Sequence, residues 1–266
     1  MSFIWNYFFG IPSTVTSVAP EIPSAEEDNL AEATPIELQA VESSSLPSDS
    51  NDFKIRNFAV DPITKGDRST ISVIIGARGS GKSTLAKNLV TSDKFSQIHI
   101  IDNTYQYNPT YDSIPNVTYY DKYEDKILAD VIRNQSRLSN DDRKHVMIVI
   151  EDSALLDKQF KESFKYIFIN GRFLKISMIL IFQHPMSLPM LFRHNIDYAF
   201  LIGQRKTNVF TRNTYEKYAS IFPTFELYQT VTKEICKNYG CLVIDYLSHS
   251  EKLEDQVYWY NSHITK

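Results

Sequence analysis

Gly76-Ala77-Arg78-Gly79-Ser80-Gly81-Lys82-Ser83-Thr84 stands between the apolar run Ile71-Ser72-Val73-Ile74-Ile75 and the stretch Leu85-Ala86-Lys87-Asn88-Leu89-Val90. The β-branched run before it reads as a buried strand, and the stretch after it as a helix. Glycines between a strand and a helix let the backbone bend until several N–H groups face one anion at the positive end of that helix. In this setting Lys82 is expected to reach the β- and γ-phosphates, and the Ser83 hydroxyl to ligate Mg²⁺. The loop from Gly76 to Thr84, with Ala77, Arg78, Gly79, Ser80 and Gly81 inside it, is thus predicted to cradle a nucleoside triphosphate. The sequence contains no guanine-reading Asn-Lys-x-Asp motif, and Thr232-Lys233-Glu234 is no substitute, which favours ATP over GTP.

Strand and helix signals alternate on either side of this loop. Apolar runs predict strands at 71–75, 98–102, 146–150, 176–182, 197–202 and 241–245, with helical stretches between most of them. Continuous apolar strands alternating with helices imply a mainly parallel sheet covered on both faces. Tyr105 to Tyr123 is dense in Tyr, Asn and Pro and is expected to be a long, structured loop.

A second constellation lies at His145-Val146-Met147-Ile148-Val149-Ile150-Glu151-Asp152, an apolar strand ending in two acids, which is the Walker B arrangement. One carboxylate there holds Mg²⁺ and a neighbouring one orients the attacking water. By position Glu151 is expected to serve the metal and Asp152 the water, although the usual order is Asp then Glu. Two acids after a strand could instead merely cap the next helix from its N-terminal end, a reading that the phosphate loop upstream disfavours. That helix is expected to run to about Asn170. A further strand, Ile176 to Phe182, ends on Gln183, and ligands of open α/β sheets bind beyond the carboxyl ends of strands. Gln183 is therefore placed to sense the γ-phosphate.

The 266 residues, 42% hydrophobic and 23% charged, suit one α/β domain with extensions. Net charge is −4 overall and −9 over the first 53 residues, which contain no Lys or Arg; the remainder carries +5. A mildly basic body with an acidic tail permits nucleic-acid contact without requiring it. Residues 12–52, rich in Ser, Pro, Glu and Ala, are expected to be a disordered linker. Ahead of them, residues 1–11 form a short aromatic segment suited to docking on a protein or a membrane interface, or to packing back on its own domain. The ordered domain is expected over 53–247, with 248–266 as a C-terminal extension. Cys236 and Cys241 are read as reduced, in keeping with an intracellular setting. No run approaches the ~18 apolar residues that span a bilayer.

The order of these motifs, together with Asn170-Gly171-Arg172, Tyr107-Asn108-Pro109-Thr110-Tyr111-Asp112 and Leu188-Pro189 after Gln183, resembles the FtsK/HerA superfamily. Within it, the chain is similar to the poxvirus-type genome-packaging ATPases of large double-stranded DNA viruses over about residues 70–205. The resemblance implies a RecA-like P-loop NTPase fold preceded by a disordered tail. It also implies ATP and Mg²⁺ as ligands, with Lys82, Ser83, Glu151, Asp152 and Gln183 in the site. Superfamily members work as rings in which one subunit lends an arginine to its neighbour's nucleotide. Arg172 is the first candidate for that role, with Arg193, Arg205 and Arg212 as alternatives. A His usually follows the family's Gly-Arg pair, where this chain has Phe173.

The function so implied is a motor that packages viral DNA, acting as a homo-oligomeric ring in the host cytoplasm at the assembly site or on the virion. Residues 1–11 would dock it on a capsid or internal-membrane protein. DNA-contacting loops are sought in Tyr105–Tyr123 and around Lys206-Thr207-Asn208, where basic and aromatic residues mix. Two alternatives are a nucleotide-gated scaffold, which the inverted acid pair keeps open, and a nucleotide kinase, against which the acid pair argues.

Overall fold

The strand-forming runs assemble, in the computed structural model, into one sheet. The structure describes residues 55–65, 67–91, 93–107, 110–151, 160–203 and 208–261. The expectations for residues 1–11 and 12–52, and for Asp152, Arg205, Lys206 and Thr207, lie outside the described residues. In chain order the elements are β1 (Arg56–Asn57), α1 (Asp61–Thr64), β2 (Ile71–Ile75), α2 (Lys82–Val90), β3 (Phe95–Ile101) and β4 (Val117–Tyr120). There follow α3 (Asp125–Ser136), β5 (His145–Glu151), α4 (Glu162–Asn170), β6 (Ile176–Phe182) and α5 (Met190–Arg193). The last are β7 (Tyr198–Ile202), α6 (Asn208–Tyr218), α7 (Phe225–Ile235), β8 (Gly240–Asp245) and β9 (Val257–Asn261).

Among the described residues the sheet has nine strands in the order β1-β9-β8-β7-β2-β6-β5-β3-β4. The six strands from β7 to β4 are mutually parallel, so their carboxyl ends share one edge of the sheet. β8 runs antiparallel between β7 and β9. The RecA-like, mainly parallel sheet expected from the sequence is the fold observed.

The strands read as unbroken apolar runs because both faces are covered. Side chains alternate across the sheet: Val73, Ile148, Leu180 and Leu201 face a core shared with Leu128, Phe164, Ile167 and Tyr228 of α3, α4 and α7. Ile74, Val149, Ile179 and Phe200 face the opposite core, closed by Leu85, Ala86 and Leu89 of α2 and by Ile63 of α1. The Thr224 side chain starts α7 by accepting the Leu227 N–H at 3.2 Å, a cap worth about 1 kcal/mol.

Two segments differ from the sequence reading. Tyr105–Tyr123 is not loop throughout: it holds a 3₁₀ turn at Tyr105–Tyr107, and Val117–Tyr120 pairs parallel with β3 as the edge strand β4. β4 is half exposed, as an edge strand is, so it lacks the continuous apolar signature of the central strands; its aromatic and β-branched residues supply the strand preference. The sheet also takes in Val257–Asn261, within the stretch set apart as a C-terminal extension, because β9 pairs with both β8 and β1.

Candidate functional site

β2 turns into α2 through the glycine loop at the carboxyl edge of the sheet. Gly79 and Gly81 adopt φ of 74° and 90°, a left-handed conformation that residues with a Cβ rarely take. This lets the chain coil back and leaves the N-terminus of α2, with the N–H groups of its first turn, facing the loop. Lys82, the first residue of α2, is buried, and its Nζ donates to the Ala77 carbonyl at 2.8 Å. The ammonium is thereby held along the inner side of the loop. Ser80 Oγ is buried there with no hydrogen-bond partner among the described residues.

The acidic strand end comes to meet this loop. Ser83 Oγ donates to Glu151 Oε1 at 2.9 Å, and the Tyr111 hydroxyl donates to the same oxygen at 3.2 Å. Burial pushes the Glu151 carboxyl up to about 7; the hydrogen bonds from Ser83 and Tyr111 and the Lys82 ammonium oppose the rise, while the Asp102 charge adds to it. A desolvated carboxylate beside a second acid is a place that favours a cation. Among the described residues no cluster of three or more His, Cys, Asp or Glu forms a metal cage. Mg²⁺ is typically bound by one or two protein oxygens together with phosphate and water, and the Ser83 hydroxyl with the Glu151 carboxylate fits that donor set.

Strand order places Gln183 between the two motifs. β6 lies between β2 and β5, with Ile75 opposite Phe182 and Glu151 opposite Ile181. The Gly76 N–H donates to the Phe182 carbonyl at 3.1 Å. Gln183, the next residue, is half-buried level with the start of the phosphate loop.

Arg172 is at the other end of the sheet. It follows α4, just before β6 begins, and is ion-paired with Asp197, which precedes β7. The buried Asp197 also accepts the Ile71 N–H at 2.8 Å and lies 3.7 Å from Arg68. Burial outweighs both arginines and holds its carboxyl above the ordinary value. Arg172 is therefore apart from the phosphate loop of its own chain, and Phe173 is exposed beside it. Arg193 donates to the Leu188 carbonyl at 2.7 Å. Arg212 pairs with Glu216 at 3.2 Å and stacks its guanidinium 5.1 Å from the Phe225 ring centre.

Two residues of the site went unassigned in the sequence reading. Asp102, buried at the end of β3, accepts from the Thr104 N–H and hydroxyl at 2.8 and 2.7 Å. The signal was available, since Ile100-Ile101-Asp102 is an apolar strand ending in an acid, as β5 is. Tyr111, inside the segment where DNA-contacting loops are expected, is buried against Glu151 instead. In the same segment Tyr105 stacks on Tyr119 with ring centres 3.8 Å apart, and Tyr107 is exposed.

The sequence and the fold both have counterparts among known proteins. A family model described as Poxvirus A32 protein matches residues 64–222. Protein 015R of Frog virus 3 (isolate Goorha) is 30% identical over 224 residues, covering 81% of this chain and 68% of that one. Protein 088R of Invertebrate iridescent virus 3 is 31% identical over 200 residues, 71% of this chain and 74% of the other. Among solved structures, the DNA-packaging ATPase B204 of Sulfolobus turreted icosahedral virus shares the fold. The TM-score is 0.54 at 16% identity, over 73% of this chain and 97% of that one. The genome-packaging NTPase B204 of Sulfolobus turreted icosahedral virus 2, in complex with ATP-gammaS, gives 0.53 at 15% identity, over 72% and 96%.

Proposed function

The chain belongs to the poxvirus A32 protein family, and from that premise we propose that it is an ATP-hydrolysing motor that drives double-stranded viral DNA into a capsid. The observation that carries this reading is the contact of Ser83 Oγ with Glu151 Oε1 at 2.9 Å. It joins the phosphate loop on β2 to the acidic end of β5 across β6, the strand that delivers Gln183. A hydrolase needs a phosphate cradle, a metal ligand and a group to orient water at one point, and this contact between the loop and the acidic strand end supports the reading for the first two.

In this reading the loop N–H groups and the N-terminus of α2 bind the β- and γ-phosphates, and Lys82 swings from Ala77 onto them. Ser83 and Glu151 would hold a Mg²⁺ ion, which would supply charge neutralisation to the phosphate oxygens. Asp152 positions the attacking water and takes its proton, while Gln183 reports the presence of the γ-phosphate to the loop after β6. An arginine from a neighbouring subunit of a ring offsets charge developing on the transferred phosphoryl group. DNA is held chiefly through its phosphates, so binding weakens steeply with salt. Residues 1–11 dock the motor on a capsid or internal-membrane protein in the host cytoplasm.

The test is ATP hydrolysis by the full chain with and without double-stranded DNA, beside Lys82→Ala. DNA-stimulated turnover that disappears in the variant is the expected result. Tight ATP binding with no turnover under any DNA or capsid-protein condition would replace the motor by a nucleotide-gated scaffold.

A further inference from the structure

The turn Lys237-Asn238-Tyr239-Gly240 between α7 and β8 is built against local preference. Asn238 and Tyr239 both have positive φ, 50° and 64°, and the Gly240 N–H closes the turn on the Lys237 carbonyl at 2.9 Å. Two consecutive left-handed residues are the pattern of a type I′ turn, whose second central position normally takes glycine. Asn238 suits the first position. An aromatic residue at the second is strained, and such strain persists only where the surroundings enforce it.

Here they do. The buried Asn261 of β9 donates its Nδ2–H to the Asn238 carbonyl at 2.8 Å. Cys236, at the start of the turn, packs so closely on β7 that a Cβ on Gly203 would lie 2.3 Å from its own. Core packing gains little from the ring that this scaffold presents, for Tyr239 is 58% exposed. It does stand against the phosphate loop: a Cβ on Gly81 would meet Tyr239 Cδ1 at 3.4 Å.

The side of the loop on which it stands is informative. Glu151 and Gln183, which mark the terminal phosphate, lie on the β5–β6 side of β2. The rest of a bound nucleotide must leave the loop on the other side, towards β7 and β8, and Tyr239 immediately precedes β8. We propose that Tyr239 is the stacking platform for the base of a purine nucleoside triphosphate. The inference rests on the phosphate loop binding a nucleotide, and adds the residue that grips its base. Stacking grips any purine face, so Tyr239 strengthens binding without by itself choosing ATP over GTP.

The experiment compares Mg²⁺·ATP with Mg²⁺·tripolyphosphate, which has the phosphates and no base, by titration calorimetry on the full chain. Tyr239→Asn removes the ring while keeping a residue that tolerates positive φ; Tyr239→Phe and Tyr239→Trp keep a ring. Tyr239→Asn should weaken ATP about tenfold and leave tripolyphosphate unchanged. Tyr239→Phe should match the parent, and Tyr239→Trp should show fluorescence quenching with ATP that tripolyphosphate does not produce. Equal losses for both ligands, or no loss for ATP, would overturn the assignment. If the parent chain binds neither ligand, the nucleotide-site reading itself falls and this one with it.

Discussion

Glu151→Gln tests the electrostatics of the site without assuming any catalytic role. The carboxyl is held at about 7, against an ordinary 4.5, chiefly by burial. The native chain therefore binds this proton more tightly than the unfolded chain between those two values, and stability must fall as pH rises through that window. At 1.36 kcal/mol per pH unit, the full displacement corresponds to roughly 3 kcal/mol by pH 8, an upper figure because the side chain is not wholly sealed from water. Glutamine retains an oxygen to accept from Ser83 and Tyr111 but never ionises. In metal-free, nucleotide-free buffer the variant should gain on the parent as pH rises from 4.5 to 8. By the top of that range it should melt higher by roughly 6–12 °C. Thermal unfolding of both chains at matched pH steps measures this, and the difference between them removes every other titrating group. Mg²⁺·ATP at pH 8 should then close much of the gap, because a cation favours the ionised carboxyl of the parent. Parallel melting curves across the whole range would show that Glu151 is not desolvated as described, and the argument for a cation site would lose its electrostatic half.

Tyr111→Phe deletes a hydroxyl that donates to Glu151 at 3.2 Å and lowers its pKa. The acidic limb of the hydrolysis pH profile should move to higher pH, with a stability change of about 1 kcal/mol; a profile identical to the parent's would remove Tyr111 from the site. Arg172→Ala strips a partner from the buried Asp197 and should destabilise by roughly 1–3 kcal/mol in chemical denaturation. Full stability combined with lost hydrolysis in that variant would instead assign Arg172 to a neighbour's nucleotide. Gly203→Ala would force a Cβ to within 2.3 Å of Cys236 Cβ. Overpacking of this kind costs about 1–3 kcal/mol, and Cys236→Ala, which keeps that Cβ, should fail to restore the loss in a double-variant melt.

What could be read from the chain alone was whatever its chemistry holds within a few consecutive residues. The loop Gly76–Thr84, the acid at Glu151 and the central strands each carry their own signal: glycines where φ turns positive, β-branched runs where both faces are buried, a carboxylate where an apolar run stops. The edge strand β4 was missed because a half-exposed strand lacks that apolar run.

Tertiary structure decided the relations between these pieces. Insertion of β6 between β2 and β5 brings Gln183 level with Gly76. Residues 40 positions apart join Tyr111 to Glu151, and residues 25 apart join Arg172 to Asp197 at the edge of the sheet remote from the loop. The turn that sets Tyr239 beside Gly81 is fixed from β9, beyond the stretch the sequence marked as the domain. Such contacts leave no local pattern. The preferences of neighbouring residues set a strand or a loop, whereas the pairing of distant side chains follows from strand order and burial, which exist only once the sheet has closed.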